Sequence, residues 1–248
     1  YRYANWDTGY GDFHCVPDMS TLRHASWLDK TALVICDIYD EHGDTLTAIA
    51  PRSILKKQAS AAAAMGYLPL GAAELEYFIF RESYDEARAK RYQGIEPFGS
   101  YIEDYHILQG TREEPLNAAV RRHLSNSGVP VEFSKGEWGP GQHELNTRYA
   151  DVLAMVDNQM VYKQCFKEVA DALGISVTFM AKFDENLAGS SCHMHLSLWD
   201  PSGAKSLFAG TEQIGPVAGS DLFRWFLGGW LGHAAEMMPF YAPTVNSY

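Results

Sequence analysis

Residues 67–80 read YLPLGAAELEYFIF, and this apolar, aromatic stretch decides the fold because its pattern predicts a long strand. Side chains alternate across a strand, so Glu74 and Glu76 share one face with Phe78 and Phe80. Two carboxylates roughly 7 Å apart beside aromatic rings lose hydration, which is costly unless their charge is offset. An acidic strand end in solvent would explain the pair, and so would a bound cation.

Helices are predicted on both sides of this strand in the sequence. Pro51 opens a helix in the first-turn position that proline favours, and Gly66 ends it. Pro115 is expected to open another helix in the same way, and Gly128 to close it. The two remaining predicted helices cover residues 151–173, which are amphipathic, and residues 221–238, which follow the cap Ser220.

Further strands are predicted at intervals along the chain. They cover residues 31–40, 45–50, 129–133, 175–182 and 192–199. The turn signal at residues 42–44 predicts that 31–40 and 45–50 pair as a hairpin. Strands that adjoin strands, with helices between some pairs, predict an α+β fold with a mostly antiparallel sheet.

The composition excludes some classes of protein. The 248 residues include 20 Lys+Arg and 31 Asp+Glu, a net charge of −11, which argues against a broad nucleic-acid-binding face. No apolar run approaches the roughly 20 residues that a membrane helix needs. The four cysteines form no C-x-x-C pair, which predicts free thiols. We therefore expect a soluble, cytoplasmic protein that binds neither nucleic acid nor membranes.

A second acidic stretch, GEWGPGQHE, covers residues 136–144. Glu137 and Glu144 flank a Gly-Pro-Gly bend whose permissive backbone could turn both toward one point. Alone this is an ordinary acidic turn. Together with the first strand it supplies four carboxylates, the ligand type that Mg²⁺ and Mn²⁺ prefer.

A third stretch, GSSCHMHLSL, covers residues 189–198. His193, His195 and Ser197 share one face of the strand predicted there. A lone strand histidine is usually structural, but H-x-H beside small residues is a modest signal for metal ligands. Gly189 and its serine neighbours could form a floor that a substrate approaches closely.

Taken in order, the E-x-E strand, the two glutamates around P-G-Q and the G-S-S-x-H-x-H-x-S-L stretch resemble the glutamine synthetase family, type I branch. The resemblance runs across nearly the whole chain. It implies that residues 1–50 are the end of an N-terminal β-grasp domain and that residues 51–248 are part of a catalytic domain.

The resemblance also implies a reaction. Glutamine synthetases use ATP to phosphorylate the γ-carboxylate of glutamate, and ammonia then attacks the acyl phosphate. Two divalent metals, Mg²⁺ or Mn²⁺, lie between ATP and glutamate, as in other phosphoryl transfers. The subunits of this family form stacked rings, so the resemblance implies a homo-oligomer.

Site residues follow from the same resemblance, position by position. The implied ligands are Glu76, Glu137 and Glu144 for the first metal and Glu74 and His193 for the second, with His195 and Ser197 facing the nucleotide and the Gly189 backbone contacting glutamate. Asp7 resembles the aspartate that reaches into a neighbouring subunit's site and helps to deprotonate ammonium.

Two departures from the family pattern bear on the substrate. Ala188 stands where glutamine synthetases usually have asparagine, and the Gly-Ser-Ser-Cys-His form is similar to the branch that joins glutamate to amines such as ethanolamine or polyamines. The family also continues past Tyr248 with arginines and further glutamates. We therefore expect a chain truncated at both ends, inactive on its own, whose acceptor is ammonia or a small amine.

Two other functions compete with the ligase. A non-catalytic scaffold would be free to lose metal-type residues, yet every carboxylate and histidine that this stretch should contain is present. A metal-dependent hydrolase built on His193 and His195 leaves the E-x-E strand and the P-G-Q turn unexplained. The pattern favours the ligase.

Overall fold

The computed structural model describes residues 5–247. Its strands are β1 (His14–His24), β2 (Ala32–Tyr39), β3 (Leu68–Phe80), β4 (Val131–Gly136), β5 (Gln142–Thr147), β6 (Ala150–Asp151), β7 (Ser176–Thr178), β8 (Cys192–Trp199), β9 (Glu212–Ile214) and β10 (Val217–Gly219). Its α-helices are α1 (Pro51–Ala64), α2 (Tyr84–Ala89), α3 (Ile107–Asn126), α4 (Val152–Ala172) and α5 (Asp221–Tyr241).

Strand β3 is the centre of the main sheet. It pairs with β5 and β6 along one edge and with β8 and β7 along the other, and β4 extends the sheet beyond β5. Every pairing is antiparallel, so the predicted α+β fold with a mostly antiparallel sheet is confirmed.

The two faces of β3 have different neighbours. Leu75, Tyr77 and Ile79 are buried in a core shared with apolar side chains of α3 and α4. Burial of these large side chains stabilises the sheet–helix layer, at roughly 1.5–3 kcal/mol for each. The alternate residues, which include both glutamates, therefore lie on the sheet face away from these helices.

Strands β1 and β2 form a separate two-stranded sheet. Arg52 of α1 anchors it, because this guanidinium pairs with Asp18 (2.8 Å), Asp37 and Asp157 (2.8 Å). Asp18 and Asp37 lie on β1 and β2, and Asp157 lies on α4. The domain boundary predicted between residues 50 and 51 stays a prediction. Residues 1–4 of the predicted N-terminal domain and residue 248 of the predicted catalytic domain lie outside the described residues.

The predicted hairpin of residues 31–40 and 45–50 is confirmed only next to its turn, where the Asp40 N–H donates to the Thr45 carbonyl (2.9 Å) and the Thr47 N–H donates to the Ile38 carbonyl (2.9 Å). Strand β2 pairs with β1, from His14 opposite Tyr39 to His24 opposite Ala32. Residues 45–50 contribute a single bridge, between Leu46 and Tyr39. The partner is set by a strand earlier in the chain, which the local turn signal could not reveal.

The predicted start of the second helix at Pro115 is wrong. Helix α3 begins at Ile107, capped by His106, and Pro115 lies inside it. Proline removes one helical hydrogen bond and disturbs the preceding turn. The early turns persist because Gln109 and Glu113 face the interior, where tertiary contacts outweigh local preference.

The other long elements agree with the sequence patterns: α1, β3, α4, β8 and α5, the last capped by Ser220 as predicted. The pattern of residues 134–146 had not indicated that β5 is a strand. Strand β7 is shorter than the predicted 175–182. All four cysteines are free. No helix in residues 5–247 is both long and apolar enough to cross a membrane.

Candidate active site

The register of the main sheet brings the predicted ligands together. Glu76 on β3 lies opposite Glu144 on β5, and Glu74 lies opposite His193 on β8. Residues directly opposite each other on adjacent strands project from the same face. Three strands from distant parts of the chain thus place carboxylates and an imidazole side by side.

The histidines of β8 contact the glutamates of β3 across this face. His195 Nε2 lies 3.0 Å from Glu74 Oε2, and His193 Nε2 lies 3.8 Å from Glu76 Oε1. Both imidazoles are more than half exposed, whereas the side chain of Glu76 is 11% exposed. The face therefore opens to solvent at β8 and closes toward β5.

Lys135 on β4 places a positive charge at the buried, β5 side of this face. Its ammonium group lies 2.9 Å from Glu144 Oε1 and also contacts the Glu137 carboxylate. Burial lowers the pKa of Lys135, but hydrogen bonds and charge from Glu137 and Glu144 outweigh burial and raise it. Glu144 is 1% exposed, and its second oxygen has no hydrogen-bond partner among the described residues.

The turn that carries Glu137 is held close to β3. Its backbone closes through the Glu137 N–H, which donates to the Gln142 carbonyl (2.7 Å). A Cβ at Gly139 would lie 2.5 Å from the Phe78 ring, so only glycine fits there. The glycine thus lets the acidic turn lie against the glutamate-bearing strand.

The segment with Gly189 lies beside Glu76. The Ser191 N–H donates to Glu76 Oε2 (3.1 Å), and the Ser191 hydroxyl contacts the other carboxylate oxygen. The Gly189 carbonyl accepts from Gln142 Nε2 at 2.9 Å. A substrate held by the Gly189 backbone would therefore lie next to the carboxylate cluster.

A cavity of about 430 Å³ adjoins the open end of this face. Glu74, His195 and Ser197 line it, and Tyr149 stacks on Trp199 at its wall. A larger groove of about 760 Å³ runs along α1, and it contains none of the predicted site residues. The smaller cavity is therefore the one connected to the candidate chemistry.

A second set of side chains that could bind a metal lies on the opposite face of the sheet. Glu103, Glu113 and His143 are all buried, and their ligand atoms cluster closely enough to hold a metal. However, His143 Nε2 is 3.0 Å from Glu103 Oε2 and in direct contact with Glu113. The imidazole therefore lies between the two carboxylates and pairs with both without a bound ion. We interpret the group as a buried ion cluster.

The pKa values of this cluster reflect that pairing. Burial lowers the pKa of His143, but hydrogen bonds and charge from Glu103 and Glu113 outweigh burial and raise it to about 9. Burial raises the pKa of Glu113 to about 7, against the opposing effect of His143. His143 and Glu113 therefore hold their protons more tightly in the folded protein than they would in an unfolded chain.

The structure adds three residues to this site that the sequence pattern did not predict. Lys135, Gln142 and Ser191 contact the predicted ligands but were not identified. The sequence did contain a signal for these three residues, because each lies within or beside the P-G-Q turn or the serine pair. Asp7 lies in a short exposed turn, and its predicted role in a neighbouring subunit's site stays a prediction.

Comparisons with known proteins agree with this geometry. Residues 48–248 match the family described as glutamine synthetase, catalytic domain. Gamma-glutamylethanolamide synthetase of Streptomyces coelicolor is 41% identical, covering 100% of this chain and 52% of that protein. Glutamate–isopropylamine ligase of Pseudomonas sp. is 35% identical, covering 100% of this chain and 53% of that protein.

Solved structures show the same likeness. The structure described as apo GmaS without ligand superposes with a TM-score of 0.84 and 29% identity, over 96% of this chain and 54% of that one. The chain spans about half the length of the relatives it matches. With its sheet register, its cluster of glutamates and its matched catalytic-domain residues, the chain belongs to the glutamine synthetase family.

Proposed function

We propose that this chain is part of an ATP-dependent ligase that joins the γ-carboxyl group of glutamate to ammonia or a small amine, through a γ-glutamyl phosphate intermediate. Because the chain belongs to this family, one observation is enough to carry the proposal. The register places Glu76 opposite Glu144 and Glu74 opposite His193 on one open face. Like charges directly opposite are destabilising, so this arrangement favours a bound cation.

The residues present fit divalent metals. Carboxylate oxygens and an imidazole nitrogen are donors that suit Mg²⁺ and Mn²⁺. Glu144 Oε2 is buried and lacks a hydrogen-bond partner among the described residues, which leaves it available as a ligand. The proposed ligands are Glu76, Glu137 and Glu144 for one metal and Glu74 and His193 for the other. When bound, such ions neutralise charge on a transferring phosphoryl group.

The protein groups around this face bind and orient the reactants in the proposed reaction. His195 and Ser197 line the cavity next to Glu74 and would face the nucleotide. The Gly189 backbone would contact glutamate, beside Ser191 and the Glu76 carboxylate. Holding the γ-phosphate near the γ-carboxylate replaces an encounter in solution with a reaction between positioned groups, which accounts for much of the rate in such transfers.

A small primary amine is the acceptor that we propose to test first. Two relatives are named for glutamyl transfer to ethanolamine and isopropylamine. Ala188 also lacks the side-chain amide expected of glutamine synthetases at that position. A homo-oligomer with Asp7 acting in a neighbouring site, a cytoplasmic location and an absence of nucleic-acid and membrane binding stay predictions.

The test is an acceptor screen with the full-length protein of which we propose that this chain is part. Glutamate, ATP and Mg²⁺ are supplied with ammonium, ethanolamine, isopropylamine or a polyamine, and γ-glutamyl product and phosphate are measured together. We expect product and phosphate in equal amounts with at least one acceptor, and neither without glutamate. ATP hydrolysis without product, or no turnover with any acceptor, would contradict the proposal.

A further inference from the structure

Gln142 connects three parts of the site through one side chain. Its side chain is 1% exposed and lies on β5, two residues before Glu144. Oε1 accepts from the Gly139 N–H at 2.8 Å. Nε2 faces the Gly189 carbonyl at 2.9 Å and Glu76 Oε2 at 3.1 Å. One amide therefore joins the acidic turn, the glutamate-bearing strand and the Gly189 segment.

The orientation of this amide follows from its partners. The Gly139 N–H can only donate, so the atom that faces it must be the oxygen. The NH₂ group then faces the opposite side, where Glu76, Gly189 and the Ser190 hydroxyl (3.1 Å) all offer acceptors. A buried amide with every hydrogen-bonding atom engaged is rigid.

Ser191 completes the hold on Glu76 from the same segment. Its N–H donates to Glu76 Oε2 at 3.1 Å, the oxygen that Gln142 also contacts. Its hydroxyl contacts the other oxygen. The direction of the Glu76 carboxylate is thus set by residues that are not themselves proposed ligands.

We propose that Gln142 is a positioning residue that fixes the Glu76 carboxylate and the segment 189–191 to each other, so that metal binding and glutamate binding both depend on its amide. This inference rests on the proposed function, since it treats Glu76 as a metal ligand and Gly189 as a glutamate contact. Hydrogen-bond partners of metal ligands orient those ligands, and their loss typically weakens metal binding by 10- to 100-fold.

The experiment compares Gln142→Met with Gln109→Met in the intact protein. Gln109 is a matched control, because it is also 1% exposed but lies on α3, away from the glutamate face. Mn²⁺ affinity is measured by electron paramagnetic resonance titration, and the melting temperature is measured without metal. We expect Gln142→Met to bind Mn²⁺ about tenfold more weakly and to raise KM for glutamate. Gln109→Met should leave both the Mn²⁺ affinity and the KM for glutamate unchanged.

Each outcome separates the inference from the proposed function. If the unsubstituted protein binds no Mn²⁺, the proposed function fails and the inference fails with it. If that protein binds Mn²⁺ while Gln142→Met matches its affinity within twofold, or Gln109→Met loses as much, only the inference is overturned. Should Gln142→Met not fold, Gln142→Asn, measured against Gln109→Asn, is expected to show the same loss of Mn²⁺ affinity because the shorter amide cannot reach both Glu76 and Gly189.

Discussion

His143 and Glu144 are neighbours on β5, yet they belong to two clusters of opposite character. His143 lies on the helix side, where it pairs with Glu103 and Glu113 in the buried cluster. Glu144 lies on the other side with the open cluster, formed by Glu74, Glu76, Glu137, Glu144, His193 and His195. Alternation along the strand separates them, so two adjacent titratable residues have unrelated environments.

The difference between these clusters is one of charge balance. In the buried cluster the two carboxylates contact the imidazole directly, and all three side chains are at most 3% exposed. The open cluster holds four carboxylates against one lysine and two largely exposed histidines. Charge that is balanced internally supports the fold, whereas the unbalanced charge of the open cluster favours a bound cation.

The largest expected effect comes from breaking the buried cluster with His143→Leu. This change leaves two carboxylates buried without their partner, and removal of one member of a buried ion pair destabilises by about 3–5 kcal/mol. Denaturant unfolding measures the loss. The control His233→Leu alters an exposed histidine of α5 and should change stability by less than about 0.5 kcal/mol. Equal stability of the two variants would show that the buried cluster does not support the fold.

The open cluster should respond in the opposite way to Glu76→Gln. If Glu76 is a metal ligand, we expect kcat/KM for γ-glutamyl amide formation to fall by about 100-fold, or about 2.7 kcal/mol. The melting temperature without metal should stay the same or rise, because Glu76 and Glu144 are like charges that face each other and one of them is removed. Glu114→Gln, on the exposed side of α3, serves as the control. Activity within tenfold of the unsubstituted protein would count against the ligand role.

A change of pH should distinguish the clusters without substitution. The pKa of His143 is raised to about 9 from an ordinary 6.5, so its stabilisation is fully present below pH 6.5 and is lost as pH rises through 9. The raised pKa of Glu113, about 7, adds a loss between pH 4.5 and 7. We expect the free energy of unfolding to fall by about 3 kcal/mol between pH 6.5 and 9.

Denaturant titrations across that range measure this pH dependence, and the control His233→Leu is expected to retain it. The lowered pKa of Glu103 has its effect below pH 4.5, outside this window. If the stability of the unsubstituted protein is constant from pH 6.5 to 9, the raised pKa values of His143 and Glu113 are contradicted.

The smallest effect is expected from Lys135→Met in the open cluster. The ammonium group lies between Glu137 and Glu144, where it offsets part of their charge. Without it these carboxylates attract a cation more strongly, so Mn²⁺ binding should tighten about threefold, or roughly 0.7 kcal/mol. Mn²⁺ titration measures the change, with Lys30→Met as an exposed control. Weaker Mn²⁺ binding would mean that Lys135 helps to build the site instead of competing with its cation.

Much of the open cluster was predictable because its pattern is local. Alternation along β3 places Glu74 and Glu76 on one face, and the H-x-H spacing does the same for His193 and His195. The P-G-Q turn indicated Glu137 and Glu144. Such patterns depend on only a few neighbouring residues, so they survive in any context that forms the strand or turn.

The buried cluster was not predictable in this way. Glu103 and Glu113 come from a loop and from early turns of α3 that had been placed outside the helix. His143 lies in a stretch interpreted only as a turn. The separation of 40 residues between Glu103 and His143 is closed by packing of α3 on the sheet, and no local pattern encodes that contact.

The sequence by itself indicated the family, through the resemblance of its motifs. It also determined the main strands and helices and the residue types available for metal binding, because these follow from short-range periodicity and spacing. The tertiary structure alone decided the pairing of β2 with β1, the length of α3 and the register that sets Glu76 opposite Glu144. It also decided that the amide of Gln142 joins three segments. Those features depend on burial and hydrogen bonding between distant residues, whose free energies override local preference.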